Sequence, residues 1–171
     1  MYSKILVTGA SGWLGKGFIN SLSTGLNYLS EVERTILSLP VKVMLLPMEA
    51  EAFKKSNPHI EVFEGNLHSK DDCYAFLKHE QGSCLFHLAG IIHPKYKAKE
   101  FIDTNTIGSK NLLDNAVKEK VKRAIVMSSN SPMGCNPDNT HRFDETSPYN
   151  PYMGYGKSKM YLEKYVKKIT F

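Results

Sequence analysis

Tyr155 and Lys159 stand four residues apart in Pro151-Tyr152-Met153-Gly154-Tyr155-Gly156-Lys157-Ser158-Lys159. On a helix their side chains share one face, one turn apart. An ammonium beside a phenol favours phenolate and lowers a pKa that is ordinarily about 10, giving a proton donor and acceptor usable nearer neutrality. Leu162, Val166 and Ile169 continue that face as apolar positions. Tyr155 and Lys159 are therefore expected to point inward, while Lys157, Lys164, Lys167 and Lys168 are solvated. A second chemical feature lies far upstream, in Thr8-Gly9-Ala10-Ser11-Gly12-Trp13-Leu14-Gly15. It follows the apolar run Ile5-Leu6-Val7 and leads into a helical pattern, which puts three glycines in a strand-to-helix turn. Such a turn suits a phosphate. Gly9 lets the chain leave the strand sharply, Gly12 lets backbone amides approach a pyrophosphate, and Gly15 lets the helix pack close to the sheet.

The elements that must position these groups alternate along the chain. Candidate strands are Lys4–Thr8, Val41–Leu46, Ile60–Phe63, Cys84–Leu88 and Arg123–Ser128, and candidate helices begin near Trp13, Ala50, Lys70, Lys99 and Pro151. Short apolar runs separated by helical segments imply a parallel sheet covered on both faces. Right-handed crossovers give an α/β, Rossmann-type doubly wound sheet of order 3-2-1-4-5, with its crevice beyond the carboxyl ends of strands 1 and 4. No linker, repeat or low-complexity segment interrupts the pattern, so residues 1–171 read as one dinucleotide-binding domain. The stretch Ser21–Pro40 is long for a connection between the first helix and strand 2, and an extra helical turn is expected within it.

Four further segments carry a resemblance. Cys84-Leu85-Phe86-His87-Leu88-Ala89-Gly90 looks like a fourth strand ending in H-x-A-G. Asn105-Thr106-Ile107-Gly108-Ser109-Lys110-Asn111-Leu112-Leu113 matches N-x-x-G-[ST]-x-N-L-L, and Ala124-Ile125-Val126-Met127-Ser128-Ser129 looks like a fifth strand delivering a serine. Asp144-Glu145 and Pro148 then precede the Tyr155 segment. With the glycine turn and the Tyr155/Lys159 pair, these resemble the short-chain dehydrogenase/reductase superfamily, and more narrowly its extended branch, the NAD-dependent nucleotide-sugar epimerase/dehydratase family. Order and spacing agree from residue 4 to about residue 168.

The resemblance implies roles residue by residue. Tyr155 would be the general acid/base, exchanging a proton with a substrate hydroxyl or carbonyl while hydride moves to or from the nicotinamide. Lys159 would hold the nicotinamide ribose and depress the tyrosine pKa. Ser129 would hydrogen-bond the same substrate oxygen. It is preferred because its distance to Gly134 fits S-x-x-x-x-G, with Ser128 and Ser131 as adjacent competitors. The cofactor would lie against Gly9, Ser11, Gly12, Trp13, Leu14, Gly15, Asn66, Leu67, His87, Ala89, Gly90 and Asn105 as well as Tyr155 and Lys159. His87 reads as a cofactor wall or structural residue rather than a base. Asn105 reads equally as a structural cap or as an organiser of a proton relay.

Two departures bear on the cofactor. Strand 2 ends Leu45-Leu46-Pro47-Met48-Glu49, without an acidic or basic residue at the position that usually meets the adenosine ribose. Glu49 is the nearest carboxylate and favours NAD, though it comes late, and Lys54 and Lys55 are further off, so NADP stays open. Strand 3 ends Glu64-Gly65-Asn66-Leu67 where relatives have Gly-Asp-Leu, so Asn66 can offer an amide oxygen but no charge at the adenine. Members of the branch continue through more strands and a small substrate domain, so the chain is expected to be the cofactor half of such an enzyme.

Composition narrows the function classes. The 42% hydrophobic and 23% charged shares suit a globular domain. Cys73, Cys84 and Cys135 lack metal or redox spacing and read as reduced thiols of a cytoplasmic protein. The net charge of +5 is scattered apart from Lys95-Tyr96-Lys97-Ala98-Lys99 and the last helix, which read as solvated helix faces, so nucleic acid is not an expected partner. With a strand begun by residue 5 there is no room for a signal peptide, no apolar run approaches the roughly 20 residues of a membrane span, and no metal site is read. The expected activity is epimerisation or dehydration of a nucleotide-sugar. Reduction or oxidation of a small carbonyl or alcohol is the first alternative, and a non-catalytic dinucleotide-binding module the second. Family resemblance alone adds a possible homodimer.

Overall fold

Five short runs rich in β-branched and aliphatic residues form strands: β1 Ile5–Thr8, β2 Val41–Leu45, β3 Glu61–Glu64, β4 Cys84–His87 and β5 Arg123–Val126. All pair in parallel, in the order β3-β2-β1-β4-β5. The computed structural model describes residues 2–24, 38–136, 138 and 140–171, so most of Ser21–Pro40, where an extra helical turn is expected, lies outside the described residues. The helices are α1 Trp13–Thr24, α2 Pro47–Ser56, α3 Lys70–Leu77, α4 Lys99–Ile102 running into a π-helical turn Asp103–Gly108, α5 Ser109–Lys118 and α6 Gly154–Val166.

The chain groups into two compact units. The first contains the whole sheet: Met1–Ala89, Asn111–Met127 and Phe171. In β1 the side chains alternate between two buried faces, as a strand covered on both sides requires. Ile5 and Val7 join Ile19 of α1, Phe53 of α2, and Val43 and Leu45 in one core cluster. Phe76 and Leu77 of α3 and Leu112, Leu113 and Ala116 of α5 are fully buried as well. Each such leucine or phenylalanine contributes about 2 kcal/mol of apolar burial. Lys42 points away from the Ile5–Val7 cluster. Its ammonium donates to Glu80 Oε1 at 2.9 Å and to the Phe76 carbonyl at 2.9 Å, and sits 5.4 Å from the Phe76 ring centre.

The second unit is Gly90–Lys110 with Ser128–Thr170. It contains α4, the π-helical turn and α6, and the rest is irregular backbone pinned by local hydrogen bonds. The Asn150 amide donates to the Pro132 carbonyl at 2.9 Å, and Gly134, at φ +83°, brings its backbone against the Asn150 carbonyl.

Three expectations need correction. Helix α2 begins at Pro47 rather than near Ala50, because proline's fixed φ suits the first helical position and Leu46 ahead of it is extended (φ −65°, ψ 145°). Helix α6 begins at Gly154 rather than Pro151, since Met153 is still extended (φ −118°, ψ 162°) and its carbonyl accepts from the Lys157 amide. Lys95–Lys97 are not on a helix face. They precede α4, and their three backbone amides donate to the Glu100 carboxylate at 2.8 Å each, which holds that carboxyl below its ordinary pKa.

Candidate active site

The glycine turn at the end of β1 is shaped by sterics. Gly9 sits at φ +78°, and a Cβ there would lie 2.5 Å from the Ala89 amide nitrogen. A Cβ on Gly15 would overlap the Gly9 carbonyl. Gly12 differs: a Cβ there would meet only the Gly9 carbonyl oxygen, at 3.3 Å, and otherwise point into open space. The fold itself demands Gly9 and Gly15, whereas Gly12 leaves a bare backbone surface of the kind a phosphate can approach. Trp13 and Leu14 follow at the start of α1, and Trp13 is 92% exposed.

Glu49 reaches this turn. Because Pro47 starts α2 at once, Glu49 falls in the first helical turn, where its Oε2 accepts from the Leu46 amide at 3.3 Å. Its Oε1 accepts from the Ser11 hydroxyl at 2.9 Å. Lys54 is turned to Glu64, at 2.6 Å.

His87 ends β4 fully buried, with Nδ1 2.6 Å from the Thr8 hydroxyl of the neighbouring strand. That geometry ties two strand ends together. Asn66 is exposed and Leu67 buried. The Asn66 amide oxygen accepts from the His68 amide at 3.0 Å, closing a local turn, while Asp72 accepts from the Asn66 amide at 2.9 Å. From α5, the buried Asn111 donates to the Leu67 carbonyl at 3.1 Å and so anchors this loop. Asn111 belongs to a motif read in the sequence, but its role there was not. Its partner lies 44 residues away.

In the second unit, Ser129, Tyr155 and Lys159 occur with Gly90 and Asn105. Lys159 is buried, and a Cβ on Gly90 would stand 3.4 Å from its ammonium and 3.1 Å from Asn105 Oδ1. Burial pushes the Lys159 pKa below the ordinary lysine value, and the charge of Glu163 one turn further along α6 pulls it back up. Asn105 lies on the π-helical turn, a distortion often found at functional sites. Its Oδ1 accepts from the Ile91 amide at 2.8 Å, while its Nδ2 donates to the Ile91 carbonyl at 2.9 Å and to Ser158 Oγ at 3.1 Å. Ser158 in turn donates to the Tyr155 carbonyl at 2.7 Å. Tyr155 is half-buried, with its ring edge-on to Phe101, centroids 6.0 Å apart. Leu162 is buried, Val166 and Ile169 are half-buried, and Lys157, Lys164, Lys167 and Lys168 are exposed.

The competing serines have different partners. Ser129 Oγ accepts from the Ser131 amide at 3.2 Å and lies 3.1 Å from Ser131 Oγ. Ser128 donates its hydroxyl to Glu163 Oε1, and Tyr149 donates to Glu163 Oε2 at 2.8 Å. Glu163 was not singled out from the sequence, although its spacing, four residues after Lys159, was a usable signal. Among the described residues no helix is long and apolar enough to cross a membrane.

The comparisons with known proteins agree with this architecture. The model of the NAD dependent epimerase/dehydratase family matches residues 5–170. An uncharacterized protein of Sinorhizobium fredii, y4nL, is 42% identical over 160 residues, covering 94% of this chain and 44% of its own length. A 3 beta-hydroxysteroid dehydrogenase/Delta 5-->4-isomerase of Mycobacterium tuberculosis is 26% identical, over 95% of this chain and 42% of its own. The crystal structure of Thermus thermophilus UDP-glucose 4-epimerase, a complex with NAD, superposes with a TM-score of 0.75 at 22% identity, over 96% of this chain and 50% of that one. The chain thus spans about half the length of the proteins it matches.

Proposed function

The chain belongs to the NAD dependent epimerase/dehydratase family, and from that membership we propose that it is the NAD-binding, proton-handling part of an enzyme that epimerises or dehydrates a nucleotide-sugar. The observation that carries the reading is Lys159, a buried lysine on the same helical face as Tyr155, with its ammonium beside the bare backbone of Gly90. A buried cation one helical turn from a phenol is the arrangement expected of an acid/base pair.

The residues fit the cofactor. The backbone at Gly9, Gly12 and Gly15 would hold the pyrophosphate at the N-terminus of α1, and Trp13 and Leu14 would flank it. Asn66 and Leu67 would lie by the adenine, and His87, Ala89 and Gly90 would form a wall. Glu49, already accepting from Ser11, has the charge to accept from ribose hydroxyls and to repel a 2′-phosphate, which favours NAD over NADP. When bound, the nicotinamide supplies the hydride acceptor and donor. Tyr155 then moves a proton to or from a substrate oxygen, Ser129 donates a hydrogen bond to that oxygen, and Lys159 keeps a positive charge near the phenol and holds ribose hydroxyls. Asn105 keeps the Ile91 backbone and α6 in register through Ser158.

The similarity to a steroid dehydrogenase favours a second reading, net oxidation or reduction of an alcohol or carbonyl. Incubation with NAD and panels of nucleotide-sugars and secondary alcohols, followed by nicotinamide absorbance, separates the two. The first reading predicts sugar conversion without net cofactor reduction, and the second predicts stoichiometric reduction. Both predict that Tyr155→Phe loses turnover by roughly 100-fold or more while still binding NAD. Turnover kept in Tyr155→Phe would remove Tyr155 from the mechanism, and cofactor binding without turnover on any panel would leave a binding module. A cytoplasmic location and a homodimer remain part of the proposal.

A further inference from the structure

Glu163 is the one carboxylate of α6, two turns from Tyr155 and one from Lys159 on the same helical face. It is half-buried, and both of its oxygens are engaged. Oε1 takes the Ser128 hydroxyl from the segment that carries Ser129, and Oε2 takes the Tyr149 hydroxyl from the loop that leads into α6. One side chain therefore joins three stretches of backbone, all within the second unit. The same bond commits the Ser128 hydroxyl, while among the described residues the Ser129 hydroxyl is paired with its neighbours Asn130 and Ser131. A carboxylate accepting two hydroxyls is a charge-assisted clamp, stronger and more directional than neutral pairings. Its negative charge also acts on Lys159, one turn back along the helix.

We propose that Glu163 is a positioning residue of the acid–base site, fixing the Ser128–Ser129 segment against the Tyr155–Lys159 helix and giving Lys159 its counter-charge. This rests on the reading of Tyr155 and Lys159 as the proton-handling pair. The other ionisable groups facing Glu163 are Asp144, Glu145 and Tyr149 of the loop and Lys167 of the C-terminal segment, which line with it a cavity of about 530 Å³. The Lys164 and Lys167 ammoniums lie 5.4 and 5.1 Å from the Tyr149 ring centre. Around Lys159, a Cβ on Gly90 would meet both its ammonium and Asn105 Oδ1, and Tyr155 stands one turn earlier on the same helix.

The test is a pH titration of lysine side-chain nitrogens by NMR in the 171-residue chain, with the Lys159 signal identified by its loss in Lys159→Arg. In Glu163→Gln the Lys159 midpoint is expected to fall by about one pH unit, since an opposite charge one turn away favours the ammonium. Ser128→Ala should leave Lys159 near its parent midpoint, and its effect on Tm should not add to that of Glu163→Gln, because both break one clamp. A Lys159 midpoint unchanged in a folded Glu163→Gln chain, or fully additive Tm losses, would overturn the proposal. Should Glu163→Gln not fold, Glu163→Asp carries the test with a smaller downward shift expected. No shift there overturns the proposal equally. The readout needs no substrate, so a failure of the enzymatic reading and a failure of this inference show up separately.

Discussion

Lys42 in the sheet unit and Lys159 in the second unit are almost equally shielded from water, at 7% and 4% exposure, but their surroundings differ. The Lys42 ammonium has the Glu80 carboxylate at 2.9 Å, a backbone carbonyl and two aromatic rings, and Glu80 is shared with Lys4 at 3.0 Å. The Lys159 ammonium lies beside the backbone of Gly90, and burial outweighs the pull of Glu163 on its pKa. A buried charge with its counter-ion at hydrogen-bonding distance is a structural device. A buried charge whose pKa stays depressed is unstable where it stands, and such groups concentrate where a protein does chemistry. In the sheet unit the charge has a carboxylate at 2.9 Å, and in the second unit burial holds the pKa of the charge below the ordinary lysine value despite Glu163.

The largest test of this contrast is Glu80→Ala, which strands Lys42 in the interior. It should lower the free energy of unfolding by about 3–5 kcal/mol in urea titrations, while the apolar double change Lys42→Met with Glu80→Leu should come close to neutral. A loss under about 1 kcal/mol would mean that Glu80 is not what makes Lys42 tolerable.

Alkaline pH gives the next effect. Burial pushes the Cys73 thiol from 9.0 up to about 12, so between those values the native state holds a proton that the unfolded chain has released. Stability therefore falls as pH rises, by up to about 1.4 kcal/mol per pH unit. Lys159 acts with the opposite sign. Its native pKa lies below 10.5, so up to that pH the unfolded chain holds the extra proton and stability rises with pH. Urea unfolding from pH 9 to 12 should show a decline that Cys73→Ala flattens, exposing the Lys159 rise below pH 10.5.

The smallest effect is Lys159→Met. It removes a charge whose burial outweighs its attraction to Glu163 and should stabilise the chain by about 1 kcal/mol, whereas Lys42→Met should destabilise it. Equal signs for the two would erase the contrast.

The sheet and the glycine turn were legible in the sequence because both are local. Lys4–Thr8 and Cys84–Leu88 read as strands from their apolar runs, each within one residue of the observed bounds, and Gly9 read as a sharp turn, which it makes at φ +78°. The face shared by Tyr155, Lys159 and Leu162 was legible from helical periodicity alone. The starts of α2 and α6 were missed by three residues because the choice depends on how Leu46 and Met153 are held, which periodicity does not encode. The Lys95–Lys99 run looked helical by composition, and it took the Glu100 carboxylate, gathering three amides, to make it a turn. Glu163 and the anchoring role of Asn111 escaped notice for a different reason. Their roles come from hydrogen bonds to Ser128 and Leu67, 35 and 44 residues away, which exist only once the chain has folded. Glu49 stood too late for the expected ribose position until Pro47, by starting α2, turned it back onto Ser11.

The most direct measurement is thermal unfolding of the 171-residue chain titrated with NAD and, separately, with NADP. At about 100 times its dissociation constant, a ligand that binds only the native state adds about 2.7 kcal/mol, a shift of several degrees for a chain of this size. A bare Gly12 surface with Glu49 beside it predicts that NAD raises the midpoint and that NADP raises it far less. A cooperative transition that neither dinucleotide moves, or that NADP moves as much as NAD, would contradict the account.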